Sequence, residues 1–492
     1  MKNKYLASLL PFCIFLVFAT GIILGHYLAH FFTLLITALI FLLLVYIFYK
    51  RKNILFSDIL LLVFFFFVGG AWHASASRNI DPFLYKESVF RLKVVSLPEE
   101  NQLRNTLYAQ IKEIGGAPAQ TRVKVFDYTK SLEYLHSYEA EARLSRKKYQ
   151  ERLFYSLWIK KSAFLRELPM GLSDSLREKG TRYLLKVFKD NVDSEAYRFL
   201  AAVFLGRREL LEKERDLFSR AGVSHLLAIS GLHIGLTALI LFFVLRIFCA
   251  SFRVSLIISV FFLWCYTLLA GASSATVRAV IMYSVFALSF LAKRRVNVFN
   301  ALGLAGITIL FIRPSSVFEV GFQLSFFSVL SIIIGYKIFS FKSFTILPLD
   351  YAKNILLVSL YVMIGITPLI SYYFGRVYFF SFLYNVLLIP LFTLILAINF
   401  VLILFSFFSF IAFSIGSVLS IFISFFVNLT RFLGSFSWSF ASFRFSGQMM
   451  LGYYMFLAAI LVISKTGFGR KTLKKIKIGV HRKRVILPSE RA

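Results

Sequence analysis

Residues 224–235 carry the sequence SHLLAISGLHIG, at the start of an apolar run that continues to about residue 248. Two histidines and two serines stand in this otherwise apolar segment, and polar side chains at membrane depth are costly and therefore usually functional. If a helix begins at Ser224, its small residues share one face and allow another helix to approach closely. These residues are Ser224, Ala228, Gly231, Gly235 and Ala238.

The two histidines lie off that small-residue face. His225 and His233 are about 80° apart around the predicted helix, so they are not placed to chelate one metal ion as an i, i+4 pair is. One interpretation is a helix that lines a polar pathway. The other is a tight helix crossing with two hydrogen-bonded histidines.

Composition requires a membrane protein, because the chain is 58% hydrophobic with a mean hydropathy of +0.74. Apolar windows close to the roughly 20 residues that cross a bilayer predict a mainly α, polytopic helical membrane protein with about twelve crossings. The windows are 5–28, 31–49, 54–74, 225–248, 255–271, 275–292, 297–312, 317–337, 353–374, 378–405, 409–433 and 449–464.

Basic residues orient these windows. By the positive-inside tendency, Lys50, Arg51 and Lys52 place the second connection in the cytoplasm, so that both termini are cytoplasmic and the region 78–198 is external. The predicted parts are a three-helix membrane segment at 1–77, the external domain at 78–198, a helical domain at 199–465 and a basic cytoplasmic tail at 466–492.

The external region has a different pattern, with apolar and polar residues alternating at a period of two. Four short stretches show it, at 89–95, 106–112, 122–126 and 138–144. Such alternation is typical of strands with one buried face, and this number of short strands predicts a small β-barrel.

A basic and aromatic stretch follows the predicted strands. Residues 143–166 hold eight lysines and arginines with interleaved aromatic rings, and Glu151 is the one acid among them. These residue types suit a phosphate backbone with bases stacked on rings. The alternative is an interfacial helix on anionic lipid. The candidate DNA-binding residues are Arg146, Lys147, Lys148, Tyr149, Arg152, Tyr155, Trp158, Lys160 and Lys161. The formal net charge of +32 favours polyanionic partners.

The chemistry of an enzyme is missing. Glu319 is the one carboxylate in the later windows, so paired carboxylates for acid and base catalysis are absent. The seven histidines form no metal-hydrolase motif, and there is no phosphate-binding loop. Cys13, Cys249 and Cys265 have neither disulfide nor metal-site spacing. We therefore expect no enzyme activity, no metal and no cofactor.

Several motifs resemble those of the ComEC-type competence proteins, the DNA internalisation channel family. The first motif is SHLLAISGLHIG at 224–235, preceded by FLAAVFLG at 199–206 and FSRAGV at 218–223. The second is AGASSATVRA at 270–279, and the third combines RPS at 313–315 with EVGFQLSF at 319–326. The last combines PL at 368–369, YFG at 373–375, Asn385 and Pro390. Four ordered motifs over 199–465 carry this resemblance.

The resemblance implies a channel that carries single-stranded DNA through the cytoplasmic (inner) membrane during natural transformation. It also implies that 199–465 is the channel domain and that the barrel is of the oligonucleotide-binding type. The implied partners are single-stranded DNA, the lipid bilayer, an external DNA-binding receptor and a cytoplasmic helicase or ATPase motor. Many family members carry a C-terminal metallo-β-lactamase-like domain, and this chain ends without one. We therefore expect a separate nuclease, if any, to degrade the rejected strand.

The polar and glycine positions within these motifs form the candidate translocation pathway. They are Ser224, His225, Ser230, Gly231, His233, Gly235, Ser274, Arg278, Glu319, Gln323, Arg376 and Asn385. We interpret Arg278 and Glu319 as parts of a polar entrance, and the alternative is an ion pair between them that fixes two helices. Two other functions stay open, a secondary transporter of a small anion or lipid and a membrane scaffold.

Overall fold

A computed structural model describes most of the chain, and the fold combines a helical membrane part with a β-barrel. The described residues are 9–28, 37–38, 54–76, 83–95, 99–100, 104–149, 152–160, 164–248, 251–295, 297–338, 347–436 and 438–465. By their internal contacts, 1–326 with 383–439 form one unit, and 327–382 with 440–492 form another.

Fourteen α-helices lie in the described residues. They are α1 Leu10–Leu28, α2 Ile54–Ala76, α3 Leu172–Asn191, α4 Ser194–Leu205, α5 Glu212–Arg220, α6 Gly231–Ile247, α7 Phe252–Leu269, α8 Ser274–Leu291, α9 Val298–Ile312, α10 Val320–Ile338, α11 Leu347–Phe374, α12 Ser381–Leu404, α13 Ser409–Ser435 and α14 Gly447–Lys465.

The predicted helical membrane architecture is confirmed. Every predicted window that falls on described residues contains a helix, whereas the window 31–49 lies outside them except at residues 37–38. Within the described part of the chain, six helices are long and apolar enough to cross a membrane, and five shorter apolar helices accompany them.

The predicted barrel is also confirmed. Its strands are β1 Glu87–Val94, β2 Glu99–Glu100, β3 Asn105–Ile114, β4 Ala117–Asp127, β5 Ser137–Tyr149, β6 Arg152–Ile159 and β7 Leu165–Leu168. The order β1-β3-β4-β6-β5 closes because β1 also pairs with β5, and β4 and β6 run parallel. Alternate residues such as Phe90, Leu107, Val125 and Leu157 fill the interior, which explains the period of two in the sequence.

Glycines allow close helix crossings at the N-terminal end of the first unit. A Cβ built on Gly21 would lie 1.9 Å from the Phe66 carbonyl oxygen, and one on Gly69 would lie 2.4 Å from the Phe18 carbonyl oxygen. On α9, a Cβ on Gly303 would lie 2.5 Å from the Phe12 Cα. Helices α1, α2 and α9 therefore pack through their backbones, as small residues permit in a membrane.

Residues 172–198 pack differently from what the sequence predicts. We placed them in the external domain, but α3 and α4 bury side chains such as Phe188 and Phe199 in one apolar core with α12 and α13. In helix α4 every residue from Phe199 to Leu205 is buried, whereas a helix on the surface of an external domain would expose one face to water. By packing, the barrel ends at β7 and the helical core begins at α3.

In the second unit, a tyrosine satisfies the backbone carbonyl that a proline leaves unpaired, and a second tyrosine bonds the next carbonyl. Pro368 lies inside α11 and has no amide hydrogen, so the Ile364 carbonyl loses its helical donor. The Tyr453 hydroxyl donates to that carbonyl at 2.9 Å, and the Tyr454 hydroxyl donates to the Gly365 carbonyl at 2.9 Å. Helix α14 therefore stabilises the interrupted region of α11.

Candidate functional site

Helix α6 begins at Gly231, so the prediction that it begins at Ser224 is wrong. Residues 224–226 form a single 3-10 turn, and Ser230 is the N-cap residue with an extended backbone. Serine suits that position, because its side chain satisfies amides of the first turn. The predicted small-residue face is therefore reduced to Gly231, Gly235 and Ala238.

His233 is held by the cap of α6. The Ser230 amide donates to His233 Nδ1 at 3.3 Å, and the Ser230 hydroxyl lies 2.9 Å from the same nitrogen. Because an amide can only donate, Nδ1 is the acceptor and the neutral ring carries its proton on Nε2. The buried ring meets Phe392 edge to face at 4.8 Å. His225, in contrast, is exposed on the turn with Ser224.

Arg278 packs against Gly231. A Cβ on Gly231 would lie 2.7 Å from Arg278 Nη2, whereas a Cβ on Gly235 would meet nothing within 4 Å. Arg278 is 5% exposed, and its guanidinium donates from Nη1 to the Ser325 carbonyl. In the described residues its Nε has no hydrogen-bond partner, and no carboxylate forms an ion pair with it.

Glu319 is paired elsewhere, so the predicted alternative of an Arg278–Glu319 ion pair is not formed. One Glu319 oxygen lies 3.7 Å from Arg313 Nη1, and the other accepts from the Ser274 hydroxyl at 3.1 Å. Gln323 lies one turn into α10 and donates from Nε2 to the Val317 carbonyl at 2.9 Å. The fold thus brings Ser274 and Glu319 together, and among the residues that the structure describes no acid forms an ion pair with Arg278.

The last two predicted pathway residues belong to different units. Asn385 is buried near the start of α12, in the first unit. Arg376 belongs to the second unit, in β8 Arg376–Tyr378, which pairs with β9 Phe440–Ser442. Its guanidinium lies 5.0 Å from the centre of the Phe440 ring.

The basic and aromatic stretch forms strands rather than a helix. Strands β5 and β6 pair antiparallel from Arg143 opposite Trp158 to Tyr149 opposite Arg152. The alternative of an interfacial helix is therefore wrong for the residues that the structure describes. Tyr155 packs against the barrel core, and the Arg146 carbonyl accepts from the Tyr85 hydroxyl at 3.0 Å.

Lys160 is paired with an acid from another strand. Its ammonium bonds Glu87 and lowers the pKa of that carboxyl, mainly by the hydrogen bond. Other predicted DNA-binding positions lie outside the described residues: Lys161 altogether, and the side chains of Lys147, Lys148, Tyr149 and Arg152.

A cluster on the barrel was missed by the sequence reasoning. Phe126, Tyr128 and Trp158 lie together with Arg104 and Lys124. Only Trp158 was among the predicted residues, because the others are spread over 104–128 without a basic run. The available signal was the outward register of Lys124 and Phe126 on β4 and of Trp158 on β6.

The barrel is fastened to the helical core of the same unit by Tyr134. The Arg207 guanidinium carbon lies 3.4 Å from the centre of the Tyr134 ring, and Arg177 Nη2 donates to its hydroxyl at 2.8 Å. Arg177 Nε also donates to the Leu269 carbonyl at 3.3 Å. Gly271 follows with φ of +93°, and a Cβ there would lie 2.8 Å from Arg177 Nη2.

Among the described residues there is no cluster of three or more His, Cys, Asp or Glu side chains that could hold a metal ion.

Comparisons with known proteins place these features in context. The family model described as "Competence protein" matches residues 203–466. ComE operon protein 3 of Bacillus subtilis (strain 168) is 34% identical over 194 residues, which cover 39% of this chain and 24% of that protein. An uncharacterized protein of Aquifex aeolicus (strain VF5) is 30% identical over 257 residues, which cover 50% of this chain and 59% of that protein. The matched regions thus span less than two thirds of either relative, and no solved structure matches.

Proposed function

The chain belongs to the competence protein family, and from that premise we propose that it acts in DNA uptake, as a channel for single-stranded DNA in the bacterial cytoplasmic membrane. Residues 199–465 form the channel domain in this proposal, and the part matched to the family, 203–466, coincides with nearly all of it. The barrel lies outside the membrane, and both termini lie in the cytoplasm. This orientation follows from the basic connections at 50–52 and 293–295.

One observation carries the proposal, the buried guanidinium of Arg278. A buried charge without a countercharge is strongly unfavourable, so arginines at such depth are normally paired. In the described residues Arg278 has the neutral Ser325 carbonyl as its hydrogen-bond acceptor, and its guanidinium carbon lies 5.9 Å from the centre of the Phe326 ring. A passing phosphate would supply the missing negative charge. Because the Ser325 carbonyl is neutral, it binds the arginine weakly enough for a phosphate to replace it and then leave.

The proposal adds the other candidate pathway positions to this arginine. Gly231 leaves room for the guanidinium, and Ser274, which bonds Glu319, lies one helical turn before Arg278 on α8. The proposed translocation residues are Ser224, His225, Ser230, Gly231, His233, Gly235, Ser274, Arg278, Glu319, Gln323, Arg376 and Asn385. The barrel supplies DNA contacts before the pathway, through residues of the stretch 146–161.

Entry of DNA needs a source of energy. An inside-negative potential opposes each phosphate by roughly 2.3 kcal/mol per 100 mV. We therefore include a cytoplasmic helicase or ATPase motor in the proposal, together with an external receptor that delivers the strand. A separate nuclease for the other strand completes the set of partners.

Uptake of labelled DNA tests the channel. Cells that carry Arg278→Gln as their only copy should bind DNA at the surface normally but internalise at least about tenfold less, because the phosphate loses its charged donor. Arg278→Lys should retain part of the uptake. Arg253→Gln, at an exposed position at the start of α7, is the matched loss of one arginine and should leave uptake unchanged.

Two outcomes oppose the proposal. Wild-type uptake by a stably inserted Arg278→Gln protein would remove its main support. Saturable uptake of a small phosphate compound, lost in Arg278→Gln while DNA uptake persists, would favour the secondary transporter instead.

A further inference from the structure

Three aromatic rings on the barrel form a compact surface with two cations, which we call the barrel platform: Phe126, Tyr128, Trp158, Arg104 and Lys124. The Phe126 and Trp158 ring centres are 4.4 Å apart, and those of Tyr128 and Trp158 are 6.4 Å apart. The Arg104 guanidinium carbon lies 4.3 Å from the Phe126 ring centre, and the Lys124 ammonium lies 5.6 Å from it. The cations thus lie close to the rings.

The register of the strands turns the platform away from the barrel core. Val125 on β4 and Leu157 on β6 are fully buried, so the residues next to them point outward. Phe126 pairs directly with Trp158 across the two parallel strands. These rings are partly exposed, which leaves ring surface for a ligand.

The orientation of the Trp158 and Tyr128 side chains is fixed before any ligand binds. Trp158 Nε1 donates to the Ser145 hydroxyl at 2.9 Å, and Arg104 Nη1 donates to the Tyr128 hydroxyl at 3.0 Å. Preorganised rings lose little conformational freedom on binding, which favours stacking of a flat ligand. The hydrogen bonds therefore make the platform a rigid surface.

Positive charge dominates the surroundings of the rings. Arg143 stands opposite Trp158 across β5 and β6 and adds a third cation to Arg104 and Lys124. The acid opposite Arg143 on β1, Glu87, is itself bonded by Lys160. The nearest acid in sequence, Asp127, is fully buried and accepts from Thr129 and from the Leu132 amide. A ligand with planar rings and negative charge matches this combination.

We propose that the barrel platform binds an unpaired base of single-stranded DNA, with Arg104 and Lys124 contacting the adjoining phosphates. The inference rests on the proposed function for the identity of the polymer. Stacking on aromatic rings requires unpaired bases, so duplex DNA should bind less well. A lipid surface is the competing partner, but it would favour protruding apolar side chains over rings set against a sheet.

Binding by the purified full-length protein tests the platform. The probe is a fluorescent oligothymidylate, and its anisotropy is measured with the protein in zwitterionic nanodiscs. Trp158→Ala should weaken binding roughly five- to 150-fold, the range for loss of one stacked base. Phe164→Ala removes an exposed aromatic ring elsewhere on the barrel and should leave affinity unchanged.

Further variants separate stacking from folding and charge. Trp158→Phe keeps a ring and should restore most of the affinity that Trp158→Ala loses. Arg104→Gln should reduce the slope of log affinity against log salt by about 0.7, the value for one phosphate contact on a single strand. Unchanged thermal unfolding of these variants ensures that the binding losses are local.

The results distinguish this inference from the channel proposal. Equal affinity of Trp158→Ala and Phe164→Ala for the oligonucleotide would overturn the platform, even if Arg278→Gln abolished uptake. Binding to anionic vesicles that Trp158→Ala eliminates, with no binding of the oligonucleotide, would overturn it in favour of lipid. Loss of oligonucleotide binding in Trp158→Ala would support the platform whatever Arg278→Gln does to uptake.

Discussion

Gly231 and Gly235 offer a matched pair for testing how α6 packs. They lie four residues apart on one helix, and the same change to alanine adds one methyl group at each. At Gly235 the methyl group enters open space. At Gly231 it would lie 2.7 Å from Arg278 Nη2, about 0.7 Å closer than the 3.4 Å at which ordinary contact begins.

The two substitutions should change the free energy of unfolding in opposite directions. Gly235→Ala should stabilise the protein by about 0.5–1 kcal/mol, because alanine restricts the unfolded chain and favours helix. Gly231→Ala must displace the guanidinium and weaken its bond to the Ser325 carbonyl. A hydrogen bond from a charged group contributes about 1.5–3 kcal/mol, so a net loss of about 1–2 kcal/mol is expected. Gly231→Leu, with a branched side chain, should prevent assembly.

The assay is denaturant unfolding of each purified variant in the same detergent, followed by measurement of DNA uptake in cells. Gly231→Ala should unfold at lower denaturant than wild type and Gly235→Ala at higher. If the two variants shift the midpoint equally and in the same direction, Arg278 does not press on Gly231, and the packing argument is refuted.

Three further changes address other contacts. Ser230→Ala should lower stability by about 1 kcal/mol, the usual cost of a lost cap, and should reduce uptake by freeing His233; equal midpoints and uptake to wild type would contradict this. Tyr453→Phe should cost about 1 kcal/mol in unfolding, and Pro368→Ala should recover much of it by restoring a helical donor; unchanged stability of Tyr453→Phe would argue against the repair. Tyr134→Leu should weaken the contact between the barrel and the helical core, so that a protease cleaves the segment 169–171 between β7 and α3 faster than in wild type. An unchanged cleavage rate would contradict this.

The helices and strands were predictable because their signals are local. An apolar window reports membrane burial directly, and a period of two reports a half-buried strand. The start of α6 was not predictable, because the apolar residues 226–229 precede it and extend the apolar run, and the choice of Ser230 as cap depends on contacts with His233. The apolar pattern in the sequence therefore begins before the helix itself does.

Side-chain partners were the least predictable part of the candidate site. Lys160 looked unpaired because Glu87 lies far away in sequence and comes close only when the barrel closes. Arg278 and Glu319 looked like natural partners, yet Arg313 and Ser274 occupy the carboxylate. Such choices depend on tertiary distances of a few ångströms, which composition and periodicity do not encode.

The fastening of Tyr134 makes the barrel and the helical core mechanically continuous. Arg177 holds the tyrosine hydroxyl with one nitrogen and the Leu269 carbonyl, at the end of α7, with another. Nine residues after that carbonyl, α8 presents Arg278. Tension on a strand held by the barrel would therefore be transmitted through one arginine to the turn that precedes α8.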